Sequence, residues 1–409
     1  AGRLRRSLVE SDSSLVVLRP GARVGGRGAL AACATARVRR WRRRGRAHRA
    51  MSFLRSIVTR AAADVEELIE RVRRRRRHDG PVQVIAYRGM GRPDELRLSG
   101  RVLEDRGILP ADDAQTSWRN LRDNWRRFGS RELPGVRVCA DFEGARAEAV
   151  TDEEGYFHLR IVPAAPLDGA LWQIVRLELP ELGVRAAGEV LVPPPTARFA
   201  VVSDIDDTVL QTYATDLLKM LRLTFLRNAR TRLPFEGVAE LYRAFEDGAG
   251  GREHNPIFYV SSSPWNLYDF LVEFMAYNGL PAGPLRLTDY GFDREKLVKL
   301  RHAEHKLAEI DLIASTYPHL PLVLIGDSGQ QDPEIYLAAA RAHPGRVAAI
   351  YIRHVSHERR ASEVEALAAQ AAELGAPLLL APDSAFVAAD AAARGLIARE
   401  RARELRAEG

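Results

Sequence analysis

The run Phe199-Ala-Val-Val-Ser-Asp204-Ile-Asp206-Asp207-Thr208 ends a short apolar stretch with two carboxylates two residues apart. A buried strand that closes on Asp-x-Asp suits metal-assisted phosphoryl transfer. Asp204 can attack phosphorus to form an aspartyl-phosphate, while Asp206 protonates the leaving oxygen and then activates water. Thr208 would brace the loop, and Asp207 would serve the turn.

Three more pieces could complete such a site. In Ile257-Phe-Tyr-Val-Ser261-Ser262-Ser263-Pro264-Trp-Asn266, a strand runs into hydroxyls, with a helix expected to start near Pro264. Ser261 is placed to hydrogen-bond the transferring group, with Ser262 beside it, and helix N–H groups would help to hold phosphate. Ser263 also suits a plain N-cap before that proline. Lys306 precedes a helix predicted over Leu307–Thr316, 21 residues before Asp327, and could neutralise developing charge. Lys296 and Lys299 are its rivals. The fourth piece is Leu322-Val-Leu-Ile-Gly326-Asp327-Ser-Gly-Gln-Gln-Asp332, where Gly326 permits a close approach. Asp204 with Asp327 would make a hard oxygen site suited to Mg²⁺, with Asp206 and Asp332 as further candidate ligands or supports. Taken singly, these signals read as a capped turn, a solvated lysine or an ordinary loop. Each follows or leads into a strand of one domain, so a single fold edge could gather them.

The elements that would position these residues lie in 196–409, where apolar runs alternate with helical stretches. Strands are expected at Phe199–Val202, Ile257–Val260, Leu285–Leu287, Leu322–Ile325 and Val347–Ile352. Helices are expected near Thr215–Asn228, Gly237–Glu246, Trp265–Asn278 and Lys306–Thr316, and one packing helix near Ala385–Ala407. That order predicts an α/β, doubly wound parallel sheet with ligands at the C-terminal strand ends. Residues 80–195 instead carry short alternating strands, among them Pro81–Tyr87, Leu96–Val102, Val136–Phe142 and Leu171–Leu179, which predict a β-sandwich-like domain. A helix-like insert spans Thr116–Phe128, and Pro193-Pro-Pro195 reads as a stiff linker. Residues 51–79 carry Leu54, Ile57, Val58, Ala61, Val65, Leu68, Ile69 and Val72 at three- and four-residue steps, an amphipathic helix ending in Arg73 to Arg77. That arginine cluster reads as a solvated helix end or as a patch for an anionic membrane surface.

Charge narrows the partners. The 409 residues have a formal net charge of +7, yet residues 1–50 alone carry 14 Arg and two acids, +12, which leaves −5 for the remainder. No nucleic-acid partner is therefore expected for the folded body. Residues 1–50 read as a basic arm, as a transit peptide, or as an extension translated ahead of a natural start at Met51, and the last is favoured because Met51 opens the first helix pattern. Two cysteines exclude a disulfide scaffold, and Cys139 sits among alternating strand residues. No apolar stretch approaches the roughly 18 residues of a membrane span. A cytoplasmic protein, peripheral to a membrane at most, is expected.

The four pieces, in their order and spacing, resemble the motifs of the haloacid dehalogenase (HAD) superfamily. More closely, Ser203-Asp-Ile-Asp-Asp-Thr208, Tyr259-Val-Ser-Ser-Ser-Pro-Trp-Asn266 and Leu324-Ile-Gly-Asp-Ser-Gly-Gln-Gln-Asp-Pro-Glu-Ile-Tyr336 resemble the actin-patch-associated phosphatidate phosphatases and their bacterial relatives. The resemblance covers about residues 200–360. It implies a HAD-like fold and Mg²⁺-dependent hydrolysis of phosphatidate, a phosphorylated lipid, to diacylglycerol. Residues 209–256 are too short for a large lid, which would leave the site open to a substrate held in a bilayer, and Leu217–Leu226 could rest on its interface or face the core. A phosphatase for a soluble small-molecule phosphomonoester is the alternative within the same chemistry. A non-catalytic, membrane-associated scaffold is the alternative outside it, opposed by the intact carboxylates at Asp204, Asp206 and Asp327.

Overall fold

Ala200, Val201 and Val202 are buried, as the middle of a parallel sheet covered on both faces requires. They open strand β10 (Ala200–Asp204). The structure, a computed structural model, describes residues 81–104, 131–167, 169–205, 237–288, 295–354 and 358–408, which belong to one compact unit running from His78 to Gly409. The Arg-rich segment 1–50, the predicted helix 51–79, the insert 116–128 and the segment 206–236, with Asp206, Asp207, Thr208 and the predicted helix 215–228, lie outside the described residues. So do the side chains of Lys296 and Lys299.

From β10 onward, six parallel strands form one sheet in the order β12-β11-β10-β13-β14-β15. Their ranges are β11 (Ile257–Pro264), β12 (Leu285–Thr288), β13 (Leu322–Asp327), β14 (Val347–Arg353) and β15 (Leu378–Ala381). The chain winds outward from β10 through β11 to β12, then crosses back to place β13 on the other side of β10. The crevice between β10 and β13 is thus the switch point of the sheet, the place where open α/β sheets bind ligands. The helices are α1 (Val238–Asp247), α2 (Tyr268–Tyr277), α3 (Glu295–Thr316), α4 (Asp332–Ala342), α5 (Glu358–Glu373), α6 (Ser384–Ala393) and α7 (Arg399–Glu408). Helix α3 buries Ile310, Ile313 and Ala314 against one face of the sheet, and Tyr317, just past its end, joins them. Leu241, Tyr242, Ala244 and Phe245 of α1 join the core on the opposite face.

Three expectations are corrected. Lys306 does not precede its helix but sits within α3, which begins at Glu295. β11 continues through Pro264 into a single 3₁₀ turn, Trp265–Leu267, so Ser263 caps no helix and α2 starts only at Tyr268. The C-terminal segment is two helices, with a break at Arg394 and at Gly395, which has φ +74.

The preceding strands are β1 (Val82–Ala86), β2 (Gly89–Arg92), β3 (Glu95–Glu104), β4 (Arg131–Glu132), β5 (Arg137–Phe142), β6 (Ala145–Val150), β7 (Tyr156–Ile161), β8 (Trp172–Leu179) and β9 (Val184–Leu191). They hydrogen-bond into one nine-stranded sheet rather than two separate sheets. Long β3 holds β1 and β2 on one edge and β7 and β4 on the other. The sheet curls around a single apolar core, so that β6 packs back against β7. Cys139 is a residue of β5, as its alternating neighbours predict.

The stretch after Pro193-Pro-Pro195 is fixed where it enters the α/β sheet. Buried Asn255 accepts from the N–H of Arg198 at 2.7 Å and donates to Phe245 O at 2.9 Å. Gly283 lies against the first residue of β11, where an added Cβ would overlap Ile257 O and lie 2.9 Å from Tyr259 Cε2. Gly283→Ala should therefore lower unfolding free energy by about 1–3 kcal/mol. Urea denaturation checks this, and an unchanged midpoint would contradict the packing described.

Candidate active site

Asp204 is the last residue of β10 and Asp327 the last of β13, on neighbouring strands whose register pairs Ser203 with Ile325. Ser261 lies on β11, on the other side of β10, where Val260 is the register partner of Asp204. The fold thus brings three of the sequence-predicted residues to one edge. Lys306 reaches the same edge from α3. Its Nζ lies 3.0 Å from Asp204 Oδ2 and 2.8 Å from Asp332 Oδ1, and donates to Gln330 Oε1 at 3.3 Å. Of the three lysine candidates, Lys306 is the one whose side chain the structure places here, at 3% exposure.

Asp332 comes from the first residue of α4, followed by Pro333 at a position where a helix needs no N–H. A carboxylate there also suits the helix dipole. Both its oxygens support neighbours: Oδ1 holds Lys306, and Oδ2 accepts from Asp327 N–H at 3.1 Å. The close approach expected of Gly326 is to this side chain. A Cβ at Gly326 would lie 2.5 Å from Asp332 Oδ2 and 2.8 Å from Tyr336 Cε2. Asp327 Oδ1 in turn accepts from the N–H groups of Gly329 and Gln330, at 2.5 and 3.0 Å, which folds the loop back over the strand end.

The carboxylates of Asp204, Asp327 and Asp332 can each bring an oxygen within 4.8 Å of the others. Asp327 and Asp332 are at most 1% exposed, and the Asp204 side chain is 1% exposed. Three buried carboxylates around one ammonium leave an excess of negative charge, which burial makes costly. Hard oxygen ligands with negative excess suit a divalent cation, and Asp204 and Asp327 are the residues that would hold it.

Below this layer, hydroxyls fix the strand ends. Tyr336 donates to Ile325 O at 2.8 Å, and burial, then Asp332 and Asp204, push its phenol well above the ordinary value, so it stays a donor. Ser203 Oγ and Tyr242 OH share a 2.6 Å hydrogen bond beneath Asp204. Ser261 is fully buried, and its Oγ accepts from Ser263 N–H at 3.0 Å, while Ser262 O accepts from Thr288 at 3.0 Å. Those bonds hold the last residues of β11 without the helix cap expected of Ser263.

Sequence reasoning missed Arg360. From α5 it donates to Ser328 O at 3.1 Å and Gln330 O at 2.9 Å, and pairs with Glu334 at 2.7 Å. It therefore clamps both ends of the loop that follows Asp327. Burial pushes the Glu334 carboxyl up, but the Arg360 hydrogen bond, a backbone hydrogen bond and the Arg360 charge together outweigh it and hold the group below its usual value. A clamp onto backbone carbonyls leaves no motif, and the Arg359-Arg360 pair reads as an ordinary solvated helix surface.

Lys306→Met should cost about 3–5 kcal/mol in urea denaturation with chelator present, because it leaves buried carboxylates without their ammonium. A loss of less than about 1 kcal/mol would show that the carboxylates do not depend on it. Arg360→Ala should weaken divalent-cation binding by about 10–100-fold, as loss of an outer support does. Calorimetric titration reads it, and unchanged affinity would remove Arg360 from the site.

Residues 199–354 match the family model described as "Phosphatidate phosphatase APP1, catalytic domain". The chain is 32% identical over 158 residues to "Phosphatidate phosphatase APP1" of Saccharomyces cerevisiae, covering 38% of this chain and 26% of that protein. It is 28% identical over 157 residues to "Uncharacterized protein C29B5.04c" of Schizosaccharomyces pombe, covering 38% and 25%. The chain thus spans about a quarter of the length of these curated relatives. Among solved structures, a ferredoxin-NADP⁺ reductase from Plasmodium falciparum aligns over 73% of this chain and 95% of its own at 7% identity and a TM-score of 0.18. A carbohydrate esterase aligns over 68% and 89% at 11% identity and a TM-score of 0.17. Scores this low say nothing of the fold. The segment that supplies Asp204, Ser261, Lys306, Asp327 and Asp332 lies wholly within the matched range, and over residues 199–354 this chain is similar to the APP1 phosphatidate phosphatase catalytic domain.

Proposed function

We propose that the chain is a phosphatase of HAD-like fold, hydrolysing the phosphomonoester of phosphatidate through an aspartyl-phosphate on Asp204. The observation that carries this reading is the buried Lys306 ammonium between Asp204 and Asp332 at the switch point of the sheet, within a segment matching a phosphatidate phosphatase catalytic domain. A carboxylate at a strand end, beside a fixed ammonium, is oriented for attack and screened from water.

In this reading an Asp204 oxygen forms the new bond to phosphorus as the ester P–O bond breaks. Asp206 gives its proton to the departing alkoxide, the diacylglycerol oxygen. Asp206, now a carboxylate, takes a proton from water as that water attacks phosphorus and the Asp204–phosphorus bond breaks. Inorganic phosphate leaves, and both side chains return to their starting states. Ser261 and Ser262 orient the phosphoryl oxygens, and Lys306 offsets their charge. Asp332 holds Lys306 and the Asp327 backbone, and Thr208 braces the loop after Asp206. A Mg²⁺ held by Asp204 and Asp327 would supply further neutralisation of the phosphoryl charge.

Among the described residues no helix is long and apolar enough to cross a membrane. A bilayer-held substrate would then be met at the surface, by a cytoplasmic enzyme in reversible contact with anionic lipid. The test is phosphate release from phosphatidate vesicles and from soluble glycerol 3-phosphate, with and without Mg²⁺. Asp204→Asn should lower the rate by about 10³-fold or more, the loss expected for a nucleophile. Full activity in that variant would refute the mechanism. Turnover of the soluble ester alone would replace phosphatidate with a soluble phosphomonoester.

A further inference from the structure

A cleft of about 520 Å³ opens where the nine-stranded sheet meets the α/β sheet. Arg88, Arg97, Arg160 and Arg286 line it, and among the described residues no carboxylate does. Tyr87 and Trp265 form one wall, their rings stacked at 4.2 Å and 22°. Ser99 and His158, hydrogen-bonded to each other at 2.8 Å, add polar atoms. Leu312, also in the lining, lies six residues beyond Lys306 on α3, about 9 Å along the axis. The cleft is therefore a neighbour of the reaction site and not a part of it.

The arginines are oriented by acids outside the lining. Glu95 alone holds two of them, Arg97 at 2.6 Å and Arg160 at 2.5 Å. Glu189 holds Arg88 at 2.9 Å, and Glu309 holds Arg286 at 2.6 Å. Four guanidiniums thus share three carboxylates, which leaves positive excess. The Glu95 side chain is 7% exposed, and its carboxyl is held below the usual range first by the Arg97 hydrogen bond, against burial. The Arg88 and Arg97 bonds to their acids run through Nε. A guanidinium held at Nε keeps two terminal amino groups in a planar fork that fits a phosphate oxygen pair. Met90 and Leu159 give the cleft an apolar part beside that fork.

We propose that this cleft binds a phosphate-bearing anion, as a second site distinct from the one at Asp204. The ligand is a phosphate or phosphate ester whose oxygens meet the Arg88 and Arg97 guanidiniums and whose organic part packs on Trp265. Trp265 follows the Ser261–Pro264 strand end directly, so an occupant touches the segment that would hold the reacting phosphoryl group.

The test titrates inorganic phosphate calorimetrically into the full chain, with EDTA, in a Ser261→Ala background that weakens the reaction site. Phosphate should still bind. Adding Arg88→Gln and Arg97→Gln should weaken that binding by about tenfold or more, the loss expected from removing charge-assisted hydrogen bonds. Arg160 is kept so that Glu95 stays paired. Should the double variant melt early, Arg97→Gln alone carries the test, since that side chain is 51% exposed. Co-sedimentation with phosphatidylcholine vesicles, with or without phosphatidate, separates two sources of the same chemistry. Loss of phosphatidate-dependent sedimentation along with phosphate binding identifies a lipid headgroup, and loss of phosphate binding alone identifies a soluble phosphate. Unchanged phosphate affinity in the arginine variants, or no phosphate binding in Ser261→Ala, overturns the proposal. Neither result depends on turnover, so it stands or falls apart from the reaction at Asp204.

Discussion

A buried ammonium is tolerated only where carboxylates surround it, and Lys306 meets that condition between Asp204 and Asp332. The two acids come from different places, a strand end and the first turn of α4, so the pair ties the sheet to its covering helix. Asp332 spends its second oxygen on the Asp327 amide, which makes the position of one carboxylate depend on another. Gly326 leaves the space through which that contact is made. The negative excess left over is the physical reason to expect a cation. A site balanced by Lys306 alone would have needed fewer acids.

Rigidity around this centre comes from hydrogen bonds to backbone. Tyr336 fixes the carbonyl of Ile325, Asp327 gathers two loop amides, and Arg360 takes two loop carbonyls. Each holds a strand end or loop from a different side. Phosphoryl transfer asks the protein chiefly for placement and electrostatics, and a loop fixed at both faces supplies placement without a metal having to organise it.

The strand-end acids were legible because central parallel strands are continuous apolar runs, so a following Asp stands out against them. Lys306 was legible by its distance from Asp327, but not by its local setting, which in sequence reads as the residue before a helix. Nothing in Lys296–His302 marks where α3 begins, since among the described side chains the stripe that packs on the sheet starts only at Ala303 and Leu307. The Ser263 cap failed for a different reason: β11 shifts register between Val260 and Pro264 and carries on, so proline there ends a strand. Arg360 was illegible, because carbonyl clamps are made by the fold and not by spacing. The β-rich strands were found by alternation, yet alternation records which face is buried and not which strands pair. One curled sheet and two stacked sheets give the same pattern.

That ambiguity matters because the β-rich part is not an appendage. Arg101, 8% exposed, donates to Asn266 at 2.7 Å and lies 4.6 Å from the Tyr156 ring centroid. Arg88 N–H donates to Tyr268 OH at 2.7 Å, and burial pushes that phenol up to about 12. Tyr87 is buried in the same core cluster as Val201 and Tyr259 of the α/β sheet. Trp265 and Asn266 close the motif that begins at Tyr259, and both face the other sheet. Their conspicuous side chains would be hard to explain from the phosphoryl site alone. They are explained by the interface: a stacked aromatic and a part-buried amide–guanidinium bond hold the chain just after the Ser261–Pro264 strand end. The β-rich sheet therefore acts on the site through the same short segment that would hold the phosphoryl oxygens.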